Sequence, residues 1–454
     1  MSSPAKAQAP EKSRLTVIED AVCVRCGCAC DDITLVAQDD RIREARNACE
    51  LGDRWLLADH QSSFPLCRID GQEATIEEGV ERAARVLLAA KYPLVYGLAD
   101  TTCEAQRVAV GIADWIGGTV DTPTSHSHGP WGVAFQGVGE VTSSLGEIAN
   151  RGDLVIFWGS NPVVTHPRHL SRYSLEPQGM FLPGGQQDRT CVVVDVRATE
   201  TAELADLFIC IEPGKDFEAL WILRGLAQGT DFDGADVLAA TGVPLATWQD
   251  LMARMKQARF GVILFGMGLT ATSGKHLNSE AMLALVKDMN AYTRFVARPM
   301  RERGNIAGAD NVLSWRTGFP FGVNLSRGYP RFNPGEYTAM EMLSRCEADA
   351  ALIVGADPAS ESGPLAQARL TEIPTVVLSP TDTATARGAG VWFATAEYSI
   401  FAEGTVYRMD DVPLPLRPAL ANSRPSDFDV LSAIERRVCE LKRVGSALNA
   451  DDSV

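Results

Sequence analysis

The chain predicts an α/β fold, with two parallel-sheet units around a cleft and a small antiparallel β region in front that carries a cysteine loop. Three observations lead there. From Gln72 onward, stretches of helical periodicity alternate with short apolar runs, the rhythm of strand and helix repeats. The runs at 93–97, 154–158, 191–197, 261–265, 350–354 and 375–379 show no polar alternation, as expected of parallel strands buried on both faces. Before Gln72 the pattern changes to short pieces, Ile33 to Ala37 and Ile42 to Ala45, separated by the Asp39-Asp40 turn signal.

Residues 1–14 are small, polar and Pro/Ala-rich and are expected to form a disordered tail without a signal-peptide core. Residues 15–71 form the cysteine-loop domain, in which the hairpin folds Cys49 back toward the first cysteines. Residues 72–230 form the first α/β unit, with 400–440 as a candidate to pair with it, and 231–259 a helical linker. The second unit covers 260–400. Its strand at Gly261 echoes the one at Pro93, and 349–358 echoes 153–162, so the units follow one plan. Within it, 298–336 is rich in Gly, Pro, Asn and Arg and reads as a long functional or interface loop. Residues 401–440 close the fold and 441–454 form a second tail. Ligands of such sheets gather at the carboxyl ends of the strands, which places a site between the units.

Composition narrows the function. The chain has 454 residues and a net charge of −16, the wrong sign for nucleic-acid phosphates. No apolar run approaches the length of a membrane helix. The expected compartment is the cytoplasm. Eleven cysteines are too sparse for a disulfide scaffold, and five of them fall before residue 50.

Cys23, Cys26, Cys30 and Cys49 offer four thiolates, three on one loop and one distant. A [4Fe–4S] cluster needs one thiolate per iron. Zinc with four thiolates is the competing occupant, and a site without metal is the third alternative. Cys28 is either an alternative ligand or a small residue in a tight loop. Four of the six histidines lie between 126 and 169. His126, His128, His166 and His169 follow strands, so they line the cleft or serve as hydrogen-bonded structural imidazoles. Asp195 ends a strand, where it either meets a ribose or guanine edge or caps a turn.

Longer motifs carry a resemblance. Cys30-Asp31-Asp32-Ile33, Asn47-Ala48-Cys49, His128-Gly129-Pro130, Trp158-Gly159-Ser160-Asn161-Pro162, His166-Pro167-Arg168-His169, Asn333-Pro334-Gly335-Glu336 and Glu403-Gly404-Thr405-Val406-Tyr407 resemble the B subunit of formylmethanofuran dehydrogenase over about residues 20–415. The resemblance implies a molybdopterin-oxidoreductase-like fold, an N-terminal [4Fe–4S] cluster and a tungsten or molybdenum pterin. In that family a cysteine or selenocysteine directly before His-Gly-Pro ligates the metal.

Here that position is Ser127, and a hydroxyl is a poor replacement for a soft thiolate. Met300-Arg301 is followed by Glu302-Arg303-Gly304-Asn305, where redox-active relatives tend to carry Gly-His-Tyr-Asn. Both departures resemble the B subunit of the bacterial formyltransferase/hydrolase complex. That resemblance implies a structural subunit without catalytic residues or a functional metal pterin. Its expected partners are the A component, an amidohydrolase-like hydrolase, the C component, a glutamate-synthase-like β-helix, and the D component, a formyltransferase. The methanofuran-type carrier would act on those partners. Ser127, His128, Asn161, His166, Arg168 and Asp195 would be the remains of the cofactor cleft. The alternatives are a tungsten or molybdenum dehydrogenase ligated by Ser127, and a binding module that uses the vacated cleft.

Overall fold

The computed structural model describes residues 15–60, 64–421 and 423–451; the expected tail at 1–14 lies outside the described residues. Strands β1 (Thr16–Cys23), β2 (Cys30–Gln38) and β3 (Arg41–Arg46) form one antiparallel sheet. β2 and β3 join through Asp39 and Asp40, both left-handed with φ near 54° and 55°. A two-residue hairpin turn demands such a pair, and aspartate tolerates it better than most side chains. The hairpin read from the sequence is therefore present, with Gln38 opposite Arg41.

The next fourteen strands in chain order are β4 (Cys67–Ile69), β5 (Gln72–Ala74), β6 (Pro93–Gly97), β7 (Thr119–Asp121), β8 (Leu154–Trp158), β9 (Thr190–Asp195), β10 (Leu207–Cys210), β11 (Phe260–Phe265), β12 (Arg294–Pro299), β13 (Val323–Asn324), β14 (Arg331–Phe332), β15 (Ala350–Val354), β16 (Thr375–Leu378) and β17 (Val391–Phe393). They build two sheets. The five-stranded sheet, ordered β10-β9-β8-β11-β12, is parallel throughout. The nine-stranded sheet, ordered β14-β13-β7-β6-β15-β16-β17-β4-β5, has five parallel strands at its centre and antiparallel pairs at both edges. A last hairpin joins β18 (Gly404–Tyr407) to β19 (Pro413–Leu416).

The strand pairing cuts across the expected contiguous units at 72–230 and 260–400. β6 and β7 sit beside β15, while β8, β9 and β10 sit beside β11 and β12. The five-stranded sheet is thus inserted within the nine-stranded one. Local periodicity carries the position of a strand but not its partner, so the units looked contiguous. The repeated plan itself is visible in space. β8, β9 and β10 flanked by β11 and β12 have the same order as β15, β16 and β17 flanked by β6 and β7.

Both sheets are buried on both faces, which is why their strands read as unbroken apolar runs. In the five-stranded sheet, Leu154, Ile156, Val192 and Ile263 pack under the helices Asp216–Ala227, Leu245–Gln257 and His276–Met289. Val155, Phe157, Val193 and Val262 face the other way, onto Cys28, Ile33 and Leu35 of the cysteine-loop domain. In the nine-stranded sheet, Val95, Leu352 and Val376 meet the helices Ile76–Ala89 and Cys103–Ile116. Thr102 caps the latter through Ala105, and Gly117 ends it in the left-handed conformation, the usual helix stop signals.

Two further expectations change. The stretch 298–336 contains the helix Ile306–Thr317 and the β13–β14 hairpin. That helix is buried on nearly all sides through Ala307, Ala309, Val312 and Leu313, so it has no amphipathic period to detect. The expected tail from 441 is largely helical, since Asp427–Asp451 is continuous. Val430, Leu431, Ile434 and Val438 anchor it on the helices at 76–89 and 103–116.

Candidate functional site

Cys23 and Cys30 end β1 and begin β2 directly opposite each other. Cys49 caps the helix Glu50–Leu56, its Sγ accepting from Gly52 N. Together with Cys26 and Cys28 they line one cavity, which Ile33, Ala48, Leu51, Arg25 and Arg168 complete. The hairpin thus brings Cys49 to the loop cysteines, as the sequence anticipated. Among the described residues, no three His, Cys, Asp or Glu side chains converge as ligands of a single metal ion.

The cysteine loop is clamped by its backbone. Gly27 N donates to Arg301 O at 3.1 Å, and Met409 N donates to Gly27 O at 2.9 Å. A Cβ at Gly27 would lie 2.1 Å from Arg301 O, so only glycine fits this close approach. His166, fully buried, reaches the same carbonyl through Nε2 at 2.7 Å. A carbonyl only accepts, so Nε2 carries a proton, while Nδ1 lies 2.8 Å from Thr165 Oγ1, which donates to Asn161 O.

Burial pushes Cys30 up to about 11, against the pull of Arg168. A hydrogen bond from Cys28 lowers Cys26 to about 6 despite burial. Arg168 itself is bidentate to Asp32 at 2.6 and 2.6 Å, and Arg172 reaches Asp31 at 2.5 Å. Burial works to raise the Asp32 carboxyl, but these arginines outweigh it and hold it below the usual carboxylate range.

Ser127 and His128 follow β7 and lie on a separate cavity of about 270 Å³, with Pro123, His126, Met267, Glu302, Arg303 and Glu361. The Ser127 hydroxyl donates to Pro123 O at 2.9 Å, and Thr270 Oγ1 donates to Ser127 O at 2.8 Å. The serine is thus spent on its own turn. His128 is 1% exposed and its Nε2 has no partner among the described residues. Burial, with Arg301 nearby, lowers it to about 3, so it is neutral at physiological pH. This donor set does not fit a tungsten or molybdenum centre, which favours soft thiolate ligands.

The other sequence-derived residues stand apart from this cavity. Asn161 accepts from Thr201 N and Oγ1 and donates to Glu200 Oε2 at 2.7 Å. Asp195 accepts from Val196 N and Arg197 N, the turn alternative. His166 and Arg168 belong to the cysteine cavity. His126, exposed, joins Ser127, whereas His169 is buried against Ser174, Phe157 and Tyr173.

The repeat recurs at the strand ends. Gly159 after β8 and Gly355 after β15 are both left-handed, with φ of 55° and 57°. A Cβ there would meet Gly268 at 2.7 Å or Asp100 O at 2.6 Å. Asp357 then accepts from Thr385 N and Oγ1, as Asn161 does from Thr201. Gly355 and Asp357 line a cavity of about 300 Å³ with Arg25, Asp100, Arg303, Glu361, Glu397 and Tyr398. Sequence reasoning missed the ion pairs of Arg303, which with Glu361 lines both cavities. Arg303 donates to Asp100 at 2.9 Å and to Glu361 at 2.5 Å. Residues 203 and 58 positions away offer no local signal.

No family model matches the chain. It is 39% identical over 434 residues to the B subunit of tungsten-containing formylmethanofuran dehydrogenase 2 of Methanocaldococcus jannaschii, covering 94% of this chain and 99% of the relative. Its counterpart from Methanococcus maripaludis is 38% identical over 94% of this chain and 100% of the relative. The B subunit of the formyltransferase/hydrolase complex of Methylorubrum extorquens is 24% identical over 64% of this chain and 75% of that one. Among solved structures, that complex with methylofuran holds a chain similar at a TM-score of 0.67 and 22% identity, covering 83% of this chain and 99% of that one. Acetylene hydratase from Pelobacter acetylenicus matches at 0.62 and 11%, covering 91% and 69%. Both structures bear on the fold alone, and they agree with the two-sheet α/β architecture. The full-length identity, with the cysteine loop and His128-Gly129-Pro130 in place, shows that this chain belongs to the family of formylmethanofuran dehydrogenase B subunits.

Proposed function

We propose that this chain is a structural subunit, without catalytic residues of its own, of a multi-component complex of one-carbon metabolism in the cytoplasm. The complex would transfer a formyl group from a tetrahydromethanopterin carrier to a methanofuran-type carrier and hydrolyse it to formate. Components resembling the hydrolase, the β-helical protein and the formyltransferase of the formyltransferase/hydrolase complex would surround it and do the chemistry. The observation that carries this reading is Ser127, which stands where the family resemblance expects a cysteine or selenocysteine and donates its hydroxyl to Pro123 O. The Arg303 ion pairs support it, because Arg303 and Glu361 line both cavities with a paired cation and carboxylate and add no soft donor.

Cys23, Cys26, Cys30 and Cys49 would hold a [4Fe–4S] cluster in a stabilising role. Bound only by the folded state, it adds to stability by mass action. The cavity ringed by thiols supports a cluster over a single zinc ion, whose four donors must meet at one point.

A second reading rests on the 39% identity to tungsten-containing relatives: a dehydrogenase whose metal is held by Ser127. Metal and pterin analysis of the purified complex separates the two. The structural reading expects no stoichiometric tungsten, molybdenum or pterin. One pterin-bound metal per chain, with viologen-linked formate oxidation lost in Ser127→Ala, would establish the second.

A further inference from the structure

The cysteine cavity contains five thiols, one more than a cubane with four irons uses. The fifth, Cys28, is the most buried of them at 1% exposure, while Cys26 is only half-buried. Both flank Gly27, whose backbone is held on one side by Arg301 O and on the other by Met409 N. Ala29, left-handed with φ of 36°, donates back to Cys26 O at 3.1 Å and closes the turn. The two thiols therefore reach into the same cavity from either side of a fixed point. Exchanging one sulfur for the other would take side-chain rotation between staggered rotamers on the clamped loop.

We propose that Cys28 is a spare ligand of this site, able to take the place of Cys26, so that the site keeps its cluster when either thiol is lost. The inference rests on the cluster reading given above. In the exchange Cys28 gives its thiol proton to the released Cys26 sulfur, one iron–sulfur bond replaces another, and no electron moves. Cys30 also lies two residues from Cys28, but it is fixed in the strand ladder opposite Cys23, and Cys49 caps a helix, so among the ligands Cys26 is the one on a free loop position beside Cys28.

The test uses the full chain, purified anaerobically and reconstituted with ferrous iron and sulfide. Iron and acid-labile sulfide per chain are measured, with electron paramagnetic resonance of the reduced protein and thermal melting as a check of folding. Cys26→Ser and Cys28→Ser should each lose less than about twofold of the bound iron, whereas Cys26→Ser/Cys28→Ser and Cys23→Ser should lose at least about tenfold. The resonance of Cys26→Ser should shift, and that of Cys28→Ser should match wild type. A wild type that holds iron while Cys26→Ser loses it like Cys23→Ser overturns the spare ligand alone. So does a folded double variant that keeps its iron. A wild type that holds no iron overturns the cluster reading and this inference with it. If Cys26→Ser melts early, Cys26→Ala is judged by the same iron ratio.

Discussion

Replacing Arg301 with Met would strand a buried carboxylate. Arg301 is 4% exposed, and its Nη2 lies 2.6 Å from Asp310 Oδ2 and 2.5 Å from Thr124 Oγ1. Asp310 also accepts from Thr122 and Thr124. Burial pushes its carboxyl up, and Arg301 is the main pull in the other direction. Removing one partner of a buried pair costs about 3–5 kcal/mol, because the other charge stays behind, whereas removing both is often close to neutral. Arg301→Met should therefore destabilise by about 3–5 kcal/mol and Arg301→Met/Asp310→Leu by less than about 2 kcal/mol. At about 2.1 cal/mol/K of unfolding entropy per residue, the single variant melts about 3–5 °C below wild type. Calorimetry with urea titration of wild type, both singles and the double measures the cycle. A double variant as unstable as the worse single, or a single within about 0.5 kcal/mol of wild type, would refute the argument.

Gly27→Ala places a Cβ 2.1 Å from Arg301 O, so the cysteine loop must lift; about 1–3 kcal/mol of stability should be lost, read by urea denaturation. His169 is held to about 3 by burial, below its ordinary 6.5. Its contribution to stability is complete above pH 6.5 and is lost as pH falls from there toward 3, at up to about 1.4 kcal/mol per pH unit. His169→Gln should remove that slope. The difference between the two stability profiles measures it free of Asp121 and Glu140, which burial raises to about 7 and which act in the opposite direction. Ser127→Cys should not recruit tungsten or molybdenum, because the paired Arg303 and Glu361 still line the cavity and add no soft donor beside the new thiol; metal analysis of the variant complex checks this.

Much of the fold was legible because its signals are local. The Asp39-Asp40 turn and the apolar runs each depend on a few neighbouring residues. So did the cysteine motif, whose hairpin brings Cys49 home. The echo between 153–162 and 349–358 was legible too, since the left-handed glycines and the Asn161 or Asp357 side chains repeat. Strand partnership was not, because β6 finds β15 across a stretch that carries a whole second sheet. The candidate site was legible in parts and not as a whole. Asn161, His166, Arg168 and Asp195 each follow a strand, yet they serve separate neighbourhoods. The pairing of Arg301 with Asp310, and of Arg303 with Asp100 and Glu361, went unread because an arginine and an acid in different elements have no spacing to read.

The insertion of one sheet within the other has a consequence for synthesis. All strands of the five-stranded sheet lie between 154 and 299, so that sheet can close while the chain is still growing. β6 cannot pair with β15 until roughly 250 residues later. At roughly 5–20 residues per second, β6 waits about 10–50 seconds with the edge opposite β7 open. Nascent chains arrested before residue 350 should therefore carry a folded, protease-resistant inner half and an outer half that depends on chaperones.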